Sequence, residues 1–330
     1  LKPTAARKRT NVMATQPETY ETRQALSLQI TNTGDSPILD TYMKGYEKVF
    51  TLPDESEDRD GFAACLALNH GREHERLASE YGEFREIVGV AHEAETGIVG
   101  GANFFAGPVQ LEDGSTVVSV HLNYAHIDEE FRRSGRLHEM VDEISKIAAG
   151  AFTDEEVPVV TFLEQNDPLA MSREDYVKDT EASGIDQVDR LNAWTRLGAK
   201  IVDFPYVQPE LAPGEEPNRT LALAAITKDM DKIPNELLRG HLHRFFGVSV
   251  AKGEGLARSA EEQLEMLDSP QAPRNYGLIN PEPAVARLKT MSRDSLPEGN
   301  IRDFARQEEG SAMNRKLQIA QQMQFQASIG

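Results

Sequence analysis

The 330-residue chain has one cysteine and one tryptophan. A single thiol cannot build an internal disulfide framework, so the fold must rest on an apolar core, and a reducing compartment is expected. Cys65 lies among Phe62, Leu66 and Leu68, which reads as a small core residue rather than a nucleophile. No run approaches the roughly 18 consecutive apolar residues of a membrane helix. No charged start followed by an apolar stretch marks a secretory signal. A cytoplasmic protein without a membrane partner is therefore expected. Positive charge is also scarce: 35 Lys and Arg stand against 54 Asp and Glu, a formal net charge of −19. Such a field repels a polyanion and attracts a cation, so nucleic acid is not an expected partner. The G-x-x-x-x-G-K-[ST] loop of phosphate-cradling nucleotide sites does not occur. No internal repeat is found.

What is present divides the chain into three parts. Residues 1–24 lack periodicity and carry Lys2, Arg7, Lys8 and Arg9, which predicts a flexible arm, with Met13 a candidate start. Residues 25–32 alternate as a strand does. Asp35, Ser36 and Pro37 then open a helix, with Ile38, Leu39, Tyr42, Met43 and Tyr46 at helical spacing. After an acidic loop (residues 53–60), a second helix carries Phe62, Cys65, Leu66 and Leu77. Three strands at 86–93, 98–105 and 116–127 follow, separated by tight turns, an antiparallel meander. Leu137, Met140, Val141, Ile144, Ile147 and Ala148 form the clearest helical stripe. The apolar run 157–163 reads as a buried central strand reached by a parallel crossover. A helix near 185–197 and strands at 199–204 and 221–226 complete a domain over 25–227. Residues 228–330 read as a helical extension, with helices at 234–247, 257–267 and 281–290. Its Gln-rich end, 313–325, has no strong stripe and is expected to be mobile and dispensable from about residue 295. The stripe of Leu237, Leu238, Leu242 and Phe245 must be buried on the sheet domain or on a second subunit, which leaves a homodimer open.

The stretch with the most chemistry in it is Tyr124-Ala125-His126-Ile127, a strand end, followed by Arg132-Arg133-Ser134-Gly135-Arg136-Leu137, a helix start. The first backbone N–H groups of a helix have no partner inside it, and the helix dipole adds positive potential there. Glycine at 135 lets a ligand approach the backbone. Three arginines within five residues, in an otherwise acidic chain, suit a pyrophosphate.

With its context, this segment resembles the GNAT N-acetyltransferase superfamily. The element order over 25–227 is similar, and the family's loop, [Q/R]-x-x-G-x-[G/A], aligns with residues 132–137, departing at Leu137. The resemblance implies an α/β (α+β) fold with a mixed, mostly antiparallel twisted sheet flanked by helices. It implies acetyl-CoA as co-substrate and no metal. Tyr124, Ala125, His126 and Ile127 would lie along the pantetheine arm, residues 132–137 would hold the pyrophosphate, and Asn166 would end the fifth strand beside the cofactor. The acceptor would be a primary amine, on a small cationic molecule or a peptide, and the acidic loop suits it. The family's frequent tyrosine after the fifth strand falls on Trp194, which has no usable proton, so Tyr206 or Tyr124 would have to substitute. Glu164, at the carboxyl end of the buried strand, is the expected base. His121 and His126 alternate as structural histidines, with His121 and Asn123 expected on one face and Tyr124 and His126 on the other. His241 and His243 are not spaced as a metal pair. The competing expectation is a non-catalytic module of the same fold, binding CoA or acting through its C-terminal helices.

Overall fold

The structure, a computed structural model, describes residues 26–52, 56–211 and 214–329. The expected N-terminal arm, the acidic residues Asp54 and Glu55, and Pro213 lie outside these residues.

The first strand, β1 (Ser27–Thr31), is followed by α1 (Pro37–Val49). Ser36 caps α1, its hydroxyl accepting from the Ile38 N–H at 3.2 Å, and Leu39, Tyr42, Met43 and Tyr46 form the buried stripe. The expected second helix is two: α2 (Arg59–Ala67) and α3 (Gly71–Tyr81). The break has a cause. Asn69 donates through Nδ2 to the carbonyls of Asn32 (3.0 Å) and Glu86 (2.9 Å) and accepts from the Glu86 N–H at 2.8 Å. Its side chain thus serves strand backbone instead of letting the helix continue. The meander follows as β2 (Arg85–Glu93), β3 (Gly97–Gln110) and β4 (Thr116–Ile127). Next come α4 (Arg136–Gly150) and β5 (Val159–Asn166). The acidic insertion folds as α5 (Arg173–Ser183), and α6 (Gln187–Arg196) is capped by Asp186. β6 (Lys200–Val202) and β7 (Leu221–Ile226) complete the predicted set.

Residues 228–330 are more than a helical extension. They supply β8 (Lys232–Pro234), α7 (Asn235–Arg244), a π-helical turn (Phe245–Val250), α8 (Arg258–Asp268), β9 (Asn275–Ile279), α9 (Glu282–Leu288) and α10 (Ile301–Ile329). Among the described residues nine strands form one sheet in the order β1-β2-β3-β4-β5-β7-β6-β9-β8. Neighbours pair antiparallel except β4 and β5, which are parallel. β9 pairs with β6, Ile201 opposite Ile279, so the C-terminal segment extends the sheet. Strands this short carry too little alternation to be seen in sequence.

One face of the sheet packs α4 and α6, through Met140, Val141, Ile144 and Trp194 against Val99, Ala102, Val118, Val120 and Leu163. The other packs α1 and α2 near β2, and α7 and α8 near β5 and β7. Leu237, Leu238, Leu242, Phe245 and Phe246 share a cluster with Val109, Val160, Phe162 and Phe204. The apolar stripe of α7 is thus covered within the chain. The chain end also differs from expectation. Ile301 and Ala305 of α10 are fully buried, and the Ile301 N–H donates to Asp167 Oδ2 at 2.7 Å. Packing on the sheet domain therefore continues past residue 295, and Met313, Ile319 and Met323 beyond residue 310 are exposed. No helix among the described residues is long and apolar enough to cross a membrane.

Candidate active site

The parallel ladder between β4 and β5 is short. It runs from Val118 opposite Val159 to His121 opposite Phe162, and stops. From Leu122 onward β4 pairs only with β3, while β5 continues beside β7 as far as Asn166 opposite Leu221. The β5-facing edge of residues 122–127 is therefore left without a strand partner at the centre of the sheet, where an extended ligand could add to it.

A bulge shapes the same segment. Asn103 faces Tyr124 and Phe104 faces Leu122, which leaves Asn123 as the extra residue of β4. The bulge resets the alternation. His121, Asn123, Tyr124 and His126 all turn to the face of α1 and α7, whereas Leu122, Ala125 and Ile127 turn to α4. The expected division of His121 and Asn123 from Tyr124 and His126 is corrected by this single inserted residue, which period-2 reasoning has no means to detect.

Beyond Ile127 the chain makes one short helical turn (Glu129–Phe131) and enters α4 through Gly135, at φ 84°. Arg133 is also left-handed, at φ 61°. A Cβ on Gly135 would meet nothing within 4 Å, so the glycine answers the backbone angle and leaves the space before the helix open. Intrahelical bonding begins with the His138 and Glu139 N–H groups on the Gly135 carbonyl, at 3.0 and 3.2 Å. The N–H groups of Arg136 and Leu137 precede it and face out of the helix end. The three arginines differ in role. Arg132 Nε donates to the Ile127 carbonyl at 3.0 Å and latches the loop to the strand end. Arg136 is held from behind by the buried Glu93, at 2.7 and 2.9 Å, and stacks over Phe131. Arg133 is exposed. These features fit a pyrophosphate: an open αL glycine, free-facing amides and one uncommitted guanidinium.

Asn166, expected beside the cofactor, spends its amide elsewhere. Nδ2 donates to Asp179 and to Gln187 Oε1 (3.2 Å), tying β5 to α5 and α6. His126 is 5% exposed, and burial holds its imidazole down at about 4, so it is neutral near pH 7. It packs on Tyr42 and lies 3.9 Å from Asp128. Trp194 packs against the α4 face.

Glu164 sits on the α7 face, its side chain 17% exposed. The Tyr206 hydroxyl donates to Oε1, and Gln208 Nε2 donates to Oε2 at 3.2 Å. Tyr206 is buried and burial raises its phenol well above the usual range, so its proton stays on the tyrosine. His121 Nε2 lies 3.8 Å from Glu164 Oε2. The Tyr124 ring stands edge-on to Tyr46, Phe50 and Phe62, with the charges of Glu57 and Glu164 both acting on its hydroxyl.

A second carboxyl escaped sequence reasoning. Glu86 on β2 is 4% exposed and accepts from Asn103 Nδ2 at 2.5 Å and Asn123 Nδ2 at 3.2 Å. Burial pushes it up to about 8. Three residues from three strands meet only through the sheet register and the bulge, which no local signal encodes. Since the ordinary value is 4.5, the fold holds a proton that the unfolded chain loses between pH 4.5 and about 8. Stability therefore falls as pH rises through that window. Glu86→Gln keeps the acceptor oxygen and removes the titration. It should melt higher than wild type above pH 8, with the gap closing toward pH 4.5; thermal melts in which the variant is less stable at pH 8.5 would refute this. Cys65 lies nearby, and burial pushes its thiol up to about 12, so it is inert near neutrality. No group of three or more His, Cys, Asp or Glu that could hold a metal occurs among the described residues.

No family model and no curated protein matches this chain. Among solved structures it is similar to a protein from Bacteroides thetaiotaomicron described as an acetyltransferase of the GNAT family, at 14% identity and TM-score 0.37, over 68% of this chain and 97% of that one. It is similar to an aminoglycoside 6'-N-acetyltransferase complexed with coenzyme A, at 18% identity and TM-score 0.32, over 60% and 96%. A third, from Desulfovibrio desulfuricans and described as an acetyltransferase of the GNAT family, gives 11% and TM-score 0.34, over 62% and 99%.

Proposed function

We propose that this chain transfers an acetyl group from acetyl-CoA directly to a primary amine. One observation carries the reading: the β4–β5 ladder ends at His121 and Phe162, and the unpaired edge of β4 leads straight into an open, glycine-started helix. An extended, amide-bearing arm ending in a pyrophosphate matches both features at once. Tyr124, Ala125, His126 and Ile127 would offer backbone along the arm. Arg133, Ser134, Gly135, Arg136 and Leu137 would surround the diphosphate, with Arg132 holding the loop in place.

Bound acetyl-CoA supplies a thioester carbonyl and a thiolate leaving group. An acceptor amine must be neutral to attack, and in this reading Glu164 takes its proton. Tyr206 and Gln208 fix the carboxylate by donating to its two oxygens. Tyr206 therefore works through Glu164, because its own proton is already engaged there. Tyr124 stands on the segment of β4 beyond the ladder with β5, its hydroxyl hydrogen-bonded to Tyr46, and is the second tyrosine that could face a departing sulfur. The acceptor side is acidic and aromatic: Glu57 and Glu164 act on the cluster of Tyr46, Phe50, Phe62 and Tyr124. A cationic amine suits such walls through charge and ring faces.

Release of free CoA thiol, followed over a panel of small polyamines, amino sugars and peptides, tests the reading. Glu164→Gln should lower kcat by roughly 10²-fold or more near neutral pH, with acetyl-CoA binding retained. Full turnover in that variant removes Glu164 from the mechanism. Tight CoA binding with no thioester consumption on any amine supports the non-catalytic module instead.

A further inference from the structure

His121 and His241 stand 120 residues apart in sequence and meet behind Glu164. They are 1% and 2% exposed. His121 Nδ1 lies 3.2 Å from His241 Nε2, and the opposite edge of His121, Nε2, faces Glu164 Oε2 at 3.8 Å. The pair is clamped on its ring faces. Phe245 lies parallel on His121, centroids 3.6 Å apart at 9°, and Phe162 lies on His241 at 4.1 Å and 26°. Phe245 opens the π-helical turn that continues α7, a feature that often marks functional sites. Gly247 in that turn is required, since a Cβ there would fall 2.0 Å from the Tyr81 ring.

The groups that face the pair are few. β5 supplies Glu164, α7 supplies Arg244, and the segment after β6 supplies Tyr206 and Gln208, both bound to Glu164. Burial, the neighbouring imidazole and Arg244 all hold His241 in its neutral form. If both imidazoles are neutral, the contact at 3.2 Å holds one proton between them, and two arrangements are then open. If His121 donated through Nδ1, its Nε2 lone pair would point at the carboxylate, which is repulsive. If His241 donates through Nε2, His121 carries its proton on Nε2 and presents an N–H dipole to Glu164, which is attractive.

We infer that His241 is a positioning residue of the acyl transfer: its Nε2–H locks His121 in the Nε2–H tautomer, and that N–H, facing the Glu164 carboxylate, holds it aimed. The inference rests on Glu164 being the base. It makes the catalytic site incomplete without α7, a helix that sequence reasoning set outside the catalytic domain.

Long-range nitrogen–proton NMR on the full chain with labelled histidine tests the lock without any turnover. His121 and His241 are both expected as neutral Nε2–H tautomers at pH 7; a His121 Nδ1–H tautomer, or an imidazolium at either site, overturns it. Kinetics tests the role. His241→Leu keeps the packing volume but cannot donate, and should lower kcat roughly tenfold and raise the acid limb of the kcat profile, with KM for acetyl-CoA unchanged. His241→Gln can place an amide N–H near the same point and should restore both the tautomer and the limb. A Leu variant with the wild-type limb, or a Gln variant no better than Leu, overturns the positioning role. If Leu fails to fold, the wild-type spectrum and the Gln variant still decide. Glu164→Gln separates the two ideas. Full turnover in it sinks the base assignment, whereas an inactive Glu164→Gln beside a wrong His121 tautomer sinks only the lock.

Discussion

Acetyl-CoA is expected to raise the melting temperature of the wild-type chain, and Gly135→Asp to abolish that rise. At a hundredfold excess over Kd, a ligand that binds only the folded state adds about 2.7 kcal/mol, or roughly 4 °C for a chain of this size. Gly135 is where the effect concentrates. Its φ of 84° sets the entry to α4, and a side chain there projects into open space. An aspartate puts a carboxylate where the proposed pyrophosphate would lie, against the amides of Arg136 and Leu137. Backbone strain alone is separated by Gly135→Ala, which pays the left-handed penalty of about 1–2 kcal/mol without a charge. The alanine variant should melt lower but still respond to acetyl-CoA. Differential scanning fluorimetry on the three proteins checks this, and an undiminished response in Gly135→Asp overturns the placement.

The second large effect concerns the C-terminal segment. Removal of residues 232–330 should leave a chain that aggregates, whereas removal of 311–330 should leave a monodisperse, folded one with acetyl-CoA binding intact. The first deletion uncovers the cluster that Leu237, Leu238, Leu242, Phe245 and Phe246 fill against Val109, Phe162 and Phe204. At about 1.5–3 kcal/mol for each buried side chain, those five match the whole stability of a typical domain, about 5–15 kcal/mol. It also strips β9 from β6 and exposes a sheet edge. The second deletion keeps Ile301, Ala305 and the Asp167 cap, and begins where side chains are exposed. Cutting at 295 instead would remove both buried residues and leave Asp167 without its Ile301 partner. Size-exclusion chromatography with light scattering on the truncations decides. A soluble, folded product of the first deletion would show that residues 26–231 stand alone.

Much of this was legible in the chain itself. The stripe of α4, the apolar run of β5, the tight turns of the meander and the Ser36 cap are short-range patterns, because period, capping and turn chemistry act within a few residues. Residues 132–137 could be singled out for the same reason: a glycine and a cluster of arginines at a helix start are local facts. The three-residue β8, the five-residue β9 and the break at Asn69 were not legible as such, since each is stabilised by a partner far away in sequence.

The sequence by itself therefore determined which segments are helices and central strands, that the chain is acidic, and where an anion could sit. Only the tertiary structure decided what stands opposite the proposed anion site. The β4–β5 ladder ends at His121, the Asn123 bulge turns four side chains to one face, Glu86 meets Asn103 and Asn123, and His241 reaches His121 across 120 residues. The physical reason is that register, bulges and buried polar contacts are fixed by the packing of whole elements against one another, and that packing energy belongs to no single stretch of chain.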